Sequence, residues 1–451
     1  MLKNVSGKGL VIAGLTLWAG LPARSALADP PAAPCSARTA EPYPWHIVRK
    51  GELELIGLKV NSFVAYAVKD GLWKPIRVQV DEVNSEGDYV LEGGMPFTKA
   101  TDDGIFDAND EIVLSGPELG DDFKDAEIKP ELLVDARRAH KVKVCIAERF
   151  YGAALVVSRN RPVTTMWNPM VSLNVDRLEV AAMRYRYLFR KDNPALLGEV
   201  YLRDDAKNET KVFASSDFQM VLKLPWYVPD FTLTNDDFTS MIESWQAGPL
   251  RTIVAVGVKF RKFLSLFNFH LFSELVFYER GFQIPTIIEF PFEAHQYMKP
   301  GSGIAYALSF PKGRKWTIET NLSPLPEQSA EDVLKSGQTA DFTEEFHALA
   351  RRPEGAVKVT VHVDEAARKM VPPPFYVREN QFGAGPWSKY WEWLLDMEGD
   401  LGVFLDISRV RKGRYDFGLD LLLSPKAHEN FVDYGQAAAE WSSVTLPRKS
   451  P

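Results

Sequence analysis

The chain predicts a mainly β protein: an N-terminal antiparallel β-sandwich plus a larger β-sandwich, with a few helices in the C-terminal third. Three observations carry that prediction. Short runs of alternating apolar and polar residues, bounded by turn residues, fill the first 150 positions. Longer strand-like runs rich in aromatics fill the middle. Helical periodicity enters only after residue 325. Alternation with a period of two is the mark of a strand with one buried face, and frequent turn signals join such strands antiparallel. A hydrophobic fraction of 45% and an aromatic fraction of 12% supply enough apolar surface for real cores.

The elements follow in chain order. Residues 29–45 are rich in Pro and Ala and read as an extended leader. From His46 the pattern turns to β. Glu52-Leu53-Glu54-Leu55, Ile76-Arg77-Val78-Gln79-Val80 and Lys141-Val142-Lys143-Val144-Cys145 alternate, with turns at Lys69-Asp70-Gly71 and Ser85-Glu86-Gly87-Asp88. That suits a sandwich over 46–150. A larger sandwich spans 151–325. Met183–Phe189 alternates aromatic with basic residues there, and Thr252–Val258 and Ile284–Phe290 are apolar runs. Pro285 argues for an edge or strand-start position, because proline gives a ladder no N–H.

Residues 326–451 read as a mixed α/β segment packed on the large sandwich. Helices are expected over Gln328–Lys335, over Thr343–Arg351 (with Asp341 and Glu344 spaced as a capping box), and over Trp387–Met397. Val357–Val363 alternates as a strand. Leu401–Ile407 and Tyr415–Leu423 are expected to form a hairpin across Arg411-Lys412-Gly413. A last helix is expected from Ser424-Pro425 toward Trp441.

The N-terminus carries an address. Lys3 and Lys8 precede the apolar stretch Leu10–Leu21, which is too short to span a bilayer, and Ala26-Leu27-Ala28 gives a small-x-small cleavage pattern. Residues 1–28 therefore read as a signal peptide, and a periplasmic or secreted location is expected. Their removal takes Lys3, Lys8 and Arg24 and no acid, which moves the formal charge from −7 to −10. So acidic a chain is a poor nucleic-acid binder, since that role calls for a basic face. No later stretch reads as a transmembrane span. The most apolar, Phe263–Ser273, is cut off by Lys262 and Glu274, and 263–272 is a candidate docking surface for a protein partner. Cys35 and Cys145 survive processing, and an oxidising compartment would allow them one disulfide. Four-cysteine zinc sites and CxxC redox chemistry are excluded for want of residues.

Four groups of residues carry side chains suited to chemistry. The loop Thr101–Gly116 packs Asp102, Asp103, Asp107, Asn109, Asp110 and Glu111 around Gly104. An EF-hand register with Gly104 at position 6 puts Asp103 at 5 and Asp110 at 12, but it also puts Lys99 at position 1, where an ammonium cannot ligate. A different Ca²⁺ cage from Asp103, Asp107, Asn109 and Glu111 stays open beside a plain acidic turn entering a strand. Trp226-Tyr227, between two prolines, and Trp387, Tyr390 and Trp391 are the candidate ligand-binding aromatics. Flat rings with polar tips suit amphipathic ligands such as sugars, although helical spacing in the second group also suits core packing. Among seven scattered histidines, His295 lies beside Glu293 and Tyr297, a set that can do general acid–base work. No GxSxG elbow, P-loop or HExxH occurs. Glu279, Glu289 and Glu293 could pair as glycosidase carboxylates only if the fold sets their separation.

Two segments resemble known proteins. Pro75-Ile76-Arg77-Val78-Gln79-Val80-Asp81-Glu82, followed by the Asp-rich turn, is similar to an N-terminal sandwich pattern of exported bacterial proteins. Gly248-Pro249-Leu250-Arg251, leading through long apolar strands to Glu279–Phe290, resembles the large β-sandwich of polysaccharide-lyase and galactose-mutarotase-like proteins. The resemblance implies a sugar-related scaffold and carries over no catalytic residue. Three functions are thus expected in order: a periplasmic protein binding glycan or another envelope component or assisting envelope assembly, a carbohydrate-active lyase or hydrolase, and a subunit of an envelope complex.

Overall fold

The computed structural model describes residues 46–50, 55–95, 104–124, 128–133, 135–146, 149–158, 167–260, 270–290, 293–311, 316–320, 346–363, 375–377, 382–384, 401–426 and 439–443. The fold is mainly β, in antiparallel sheets with few helices. Two sheets form the first unit. One has the order His46–Lys50, Glu111–Ser115, Val78–Asp81. The other has the order Ala439–Ser443, Ala136–Ile146, Arg149–Ser158, Phe63–Lys69, Leu72–Ile76, with Gly120–Asp121 paired to Arg149–Ser158. Alternate side chains of both meet in one core, including Phe63, Ala65, Ile112, Leu114, Val142, Val144 and Leu155. The turn Asp70-Gly71 joins two of these strands with φ of 57° and 71°, the left-handed pair that a tight hairpin requires.

The larger body has three sheets. A nine-stranded sheet runs Thr317–Thr320, Phe346–Arg352, Gly355–Val363, Gly413–Ser424, Gly281–Phe290, His270–Phe277, Thr252–Phe260, Phe238–Ala247, Gly93–Gly94. A five-stranded meander covers Val171–Asn174, Glu179–Ala182, Tyr185–Leu188, Glu199–Arg203 and Glu209–Phe213. A six-stranded sheet has the order Phe231–Thr234, Ser215–Leu222, Gly303–Ser309, Leu401–Asp406, Phe375–Val377, Phe382–Ala384.

Aromatic edges lock these sheets together. Tyr187 of the meander meets Phe277 and Phe282 of the large sheet at centroid distances of 5.1 and 5.2 Å, and Phe218 of the six-stranded sheet meets Phe238 at 5.1 Å. Each such fully buried side chain contributes about 1.5–3 kcal/mol through burial alone. Tyr185, equally buried, donates its hydroxyl to the Gly281 carbonyl at 2.9 Å, so its polar tip is satisfied inside the core.

The structure corrects four expectations. Phe346–Arg352, expected as part of a helix, is a strand. Ala348, Ala350 and Arg352 are buried at alternate positions, Pro353 ends the run, and Ala350 pairs with Val357 of the next strand. That two-residue alternation outweighs the capping box, whose Asp341 and Glu344 lie outside the described residues. Leu401–Asp406 and Gly413–Ser424 are not a hairpin but belong to different sheets. The turn Ile407–Arg409 carries the chain across, pinned by buried Ile407 and Val410. Pro285 is interior, between His270–Phe277 and Gly413–Ser424. The ladder to His270–Phe277 has no pairing between Ser273↔Thr286 and Val276↔Gln283, which relieves proline of a bond it cannot donate, and the Ser273 hydroxyl donates to the Pro285 carbonyl at 2.7 Å. The chain around Trp441, expected to end a helix, is the strand Ala439–Ser443 on Ala136–Ile146.

The strand Arg149–Ser158 runs across the boundary expected at 150/151, and Ala439–Ser443 returns to the first unit. Residues 1–45, with the leader and Cys35, lie outside the described residues. So do Gln328–Lys335 and Trp387–Met397, the latter with Trp387, Tyr390 and Trp391. Most of the 263–272 docking candidate does too; only its last three residues begin the strand His270–Phe277. No described helix is long and apolar enough to cross a membrane.

Candidate functional site

Two polar regions stand out, one buried and one exposed. The buried one joins the first unit to the large sheet. Arg251, just ahead of Thr252–Phe260, is 1% exposed. Its Nε donates to Asp81 Oδ2 at 2.7 Å, one terminal nitrogen donates to Glu111 Oε2 at 2.7 Å, and the other donates to the Tyr278 hydroxyl at 3.2 Å. Tyr89 donates its hydroxyl to the same Glu111 oxygen at 2.9 Å. Gln79 completes the set. Its amide nitrogen donates to Asp81 at 2.8 Å, and its carbonyl accepts from the backbone of Leu250 and Arg251 at 3.0 and 2.9 Å. A Cβ at Gly248 would sit 2.2 Å from the Gln79 amide, so only glycine lets the chain pass that closely.

The electrostatics follow from burial. Desolvation opposes the Arg251 charge, but Asp81, Tyr89, Tyr278 and Glu111 outweigh it and hold its pKa well above the ordinary value. Burial likewise pushes the Tyr89 phenol well up. Beside this cluster, Glu274 stands opposite Pro285 at the gap in the ladder and accepts from the Tyr89 amide at 3.0 Å. Desolvation first, then the nearby Asp88, raise its pKa to about 8, against the pull of the Tyr89 amide and of Arg414. Arg414 itself donates to Asp88 at 2.7 Å. Asp81, Asp88, Glu111, Arg251, Glu274 and Tyr278 are buried, Tyr89 and Arg414 partly so, and these groups pair with one another. The arrangement is a clamp between two units, with its central guanidinium closed off from solvent.

The clamp also absorbs part of the proposed calcium cage. Glu111 faces Arg251 and Tyr89 instead of the acidic loop. Asp110, which is buried, accepts from the amides of Val83 and Asp107, and Asp107 accepts from the Asn109 amide. Gly104 turns the chain at φ 67°. Asp103 lies outside the described residues, and among those described no three His, Cys, Asp or Glu side chains gather as a metal site. Cys145 lies in Ala136–Ile146, opposite Phe150.

The exposed region is one end of the six-stranded sheet. In its register Leu222 pairs with Phe231, Val221 with Gly303, and Gly303 with Asp406. Three connections therefore open at the same edge: 223–230, 293–302 and 407–412. Neighbouring strands lie about 4.8 Å apart, so the roots Leu222, Gly303 and Asp406 fall within about 10 Å of one another. Ser302, wholly buried, ties the three together. Its hydroxyl accepts from the Lys223 amide at 2.8 Å, its carbonyl accepts from the Ile407 amide at 3.2 Å, and its own amide donates to Lys299. The Lys299 amide donates to the Lys223 carbonyl at 2.7 Å, and the His295 amide donates to the Val410 carbonyl at 3.2 Å.

On this base Pro225–Val228 forms a turn, closed by the Val228 amide on the Pro225 carbonyl at 2.8 Å. Trp226 and Tyr227 take its two corner positions. They are 90% and 69% exposed, with their rings edge to face at 5.8 Å. Asp230 accepts from the Leu224 amide at 3.1 Å and pairs with Lys223 at 3.3 Å. Its slight burial opposes ionisation, but that amide with Lys223 and Lys299 holds its pKa below the usual value. Across the edge, the short helix Ala294–Tyr297 presents Tyr297, 53% exposed, and His295, whose Nδ1 is 3.3 Å from Glu293 Oε2. Arg409, Arg411 and Lys412 follow on the third loop, all exposed.

The structure thus brings Trp226 and Tyr227 onto one edge with the Glu293–His295 pair. It separates Glu279, whose carboxyl is raised by burial next to Arg280, Arg184 and Arg77. Glu289 stands opposite His270 in the large sheet. The sequence pattern reveals neither the Arg251 clamp, whose partners come from separate segments, nor the exposed cations Arg411 and Lys412, which it presents as part of a hairpin turn. A cation pair directly after Ile407-Ser408-Arg409 was the signal available for the latter.

No family model and no curated protein matches this chain. Among solved structures, it is similar to an α-mannosidase from Enterococcus faecalis V583 (10% identity, TM-score 0.42), over 91% of this chain and 42% of that one. It is similar to a protein in glycosyl hydrolase family 38 from Enterococcus faecalis (10% identity, TM-score 0.37), over 90% and 42%. With heparinase III the identity is 9% and the TM-score 0.30, over 61% and 42%. The chain thus spans 42% of the length of each of these proteins, and at such scores the likeness bears on neither activity nor substrate.

Proposed function

We propose that this chain is an exported glycan-binding protein of the cell envelope, with Trp226 and Tyr227 as its sugar platform. One observation carries the reading: two large aromatics stand 90% and 69% exposed on a turn whose base is pinned by backbone bonds. A turn held this way presents its rings at little further ordering cost, and an apolar face with a polar tip fits a sugar ring and its hydroxyls. Export rests on Lys3, Lys8, the short apolar stretch and Ala26-Leu27-Ala28. A glycan array with the mature protein tests the binding. Hits lost in Trp226→Ala/Tyr227→Ala support the reading, and a silent array or hits unaffected by the double substitution would overturn it. Fractionation with N-terminal sequencing tests export, for which Asp29 is the expected first residue.

The Glu293–His295 pair beside exposed Tyr297 favours a second reading, a carbohydrate-active lyase or hydrolase acting at the same edge. It requires unsaturated or reducing sugar ends to appear from a bound polysaccharide and to stop appearing in His295→Ala. Their absence with every bound glycan would leave binding alone.

A further inference from the structure

We infer that the loop end of the six-stranded sheet takes an anionic polysaccharide, one bearing uronate carboxylates or sulfates; this rests on the glycan-binding reading above. The argument is the charge at that edge. Its three loops carry Lys223, Lys299, Arg409, Arg411 and Lys412 against Asp230 and Glu293, with Asp406 at the end of the adjoining strand, in a chain whose formal charge is −7. Asp406 is buried and accepts from the Ser408 amide and hydroxyl, so it offers nothing to a ligand. Among the described residues Arg409, Arg411 and Lys412 form no ion pair, whereas four arginines of the neighbouring meander do: Arg184 with Asp205, Arg186 and Arg203 with Glu209, and Arg190 with Asp192.

Three exposed cations left unneutralised on an acidic protein form a local positive field that draws anions to this edge. Arginine matches a carboxylate or sulfate with paired donors, where lysine offers only a point charge. The loop holding them is positioned. Ile407 and Val410 are buried, Val410 accepts from the His295 amide, and the Tyr415 hydroxyl donates to the Arg411 carbonyl at 3.0 Å. The partly exposed carboxylates Asp230 and Glu293 at the same edge argue for a sugar over a lipid surface. They can accept from hydroxyls, but they would be repelled by a plane of anionic headgroups.

The test compares one polymer with and without its charge: polygalacturonate and its fully methyl-esterified form, titrated into the mature protein and into Arg409→Gln/Arg411→Gln/Lys412→Gln. The expected result is binding of the acid polymer at least tenfold tighter than the ester at low salt. The triple substitution should abolish that difference, leaving ester binding and the melting temperature unchanged. Salt near 0.5 M should weaken the acid polymer selectively, since exposed charges are then screened within about 4–5 Å. Equal affinity for acid and ester would overturn the anionic preference and leave glycan binding standing. Binding to neither polymer nor to dextran sulfate, with hits on neutral array glycans, would overturn it as well. A silent array besides would remove the glycan reading itself. Tighter binding to phosphatidylglycerol vesicles than to polygalacturonate would overturn it in favour of a membrane surface.

Discussion

The junction around Arg251 and the loop end around Trp226 are both rich in polar and aromatic groups, yet they are built by opposite rules. At the junction Asp81 and Glu111 meet one guanidinium, Tyr89 and Tyr278 line it, and the guanidinium itself is closed off from water. At the loop end the backbone is bonded just as closely, but Trp226, Tyr227, Arg409, Arg411 and Lys412 face solvent. A buried charge must be matched within the fold, because an unmatched one costs several kcal/mol. An exposed charge on a fixed loop is under no such demand and is free to meet a ligand. The difference separates a device that holds two units together from a surface that meets something outside.

The comparison can be broken most forcefully at the junction. Arg251→Met removes the guanidinium and strands two buried carboxylates, and the expected loss is about 3–5 kcal/mol in urea unfolding. A loss below about 1 kcal/mol would mean that the junction is wetter than its geometry shows. Tyr89→Phe deletes a single hydrogen bond to the Glu111 carboxylate, for an expected loss of about 1.5–3 kcal/mol in the same assay.

A third effect appears through pH. Glu274 has an ordinary value of 4.5 and sits at about 8 in the folded protein, so between these values the folded state holds the proton more tightly than the unfolded state. Its contribution to stability is therefore complete below pH 4.5 and is lost as pH rises through 8. Unfolding across pH 5 to 9 should show this decline, and Glu274→Gln, which cannot ionise, should flatten it. An unchanged slope in that variant would assign the pH dependence to other groups. The smallest stability effect belongs to the loop end: Trp226→Ala should shift unfolding by less than about 0.5 kcal/mol, since the ring packs on little.

Much of the fold was legible because alternation is local. Lys141–Cys145, Thr252–Val258 and Val357–Val363 each fall in strands that their pattern predicts. The misread elements share a cause: tertiary partners outvoted local signals. A capping-box spacing lost to the alternation of Ala348, Ala350 and Arg352. Arg411-Lys412-Gly413 resembles a hairpin turn but bridges two sheets, because Ile407 and Val410 anchor it inward. Pro285 occupies an interior strand only because the ladder skips opposite it, which no single strand reveals. Of the loop end, Trp226, Tyr227 and the Glu293–His295 pair were visible as residues. Their shared edge was not, because Leu222, Gly303 and Asp406 become neighbours only through sheet register. The same holds for Arg251, whose partners Asp81 and Glu111 lie more than a hundred residues away.

The measurement that tests the account most directly is glycan affinity in Trp226→Ala/Tyr227→Ala, taken with the melting temperature of the same protein. The account predicts affinity at least tenfold weaker, equivalent to about 1.4 kcal/mol, with a melting temperature within about 2 °C of the parent. Full affinity in a folded double variant would contradict it.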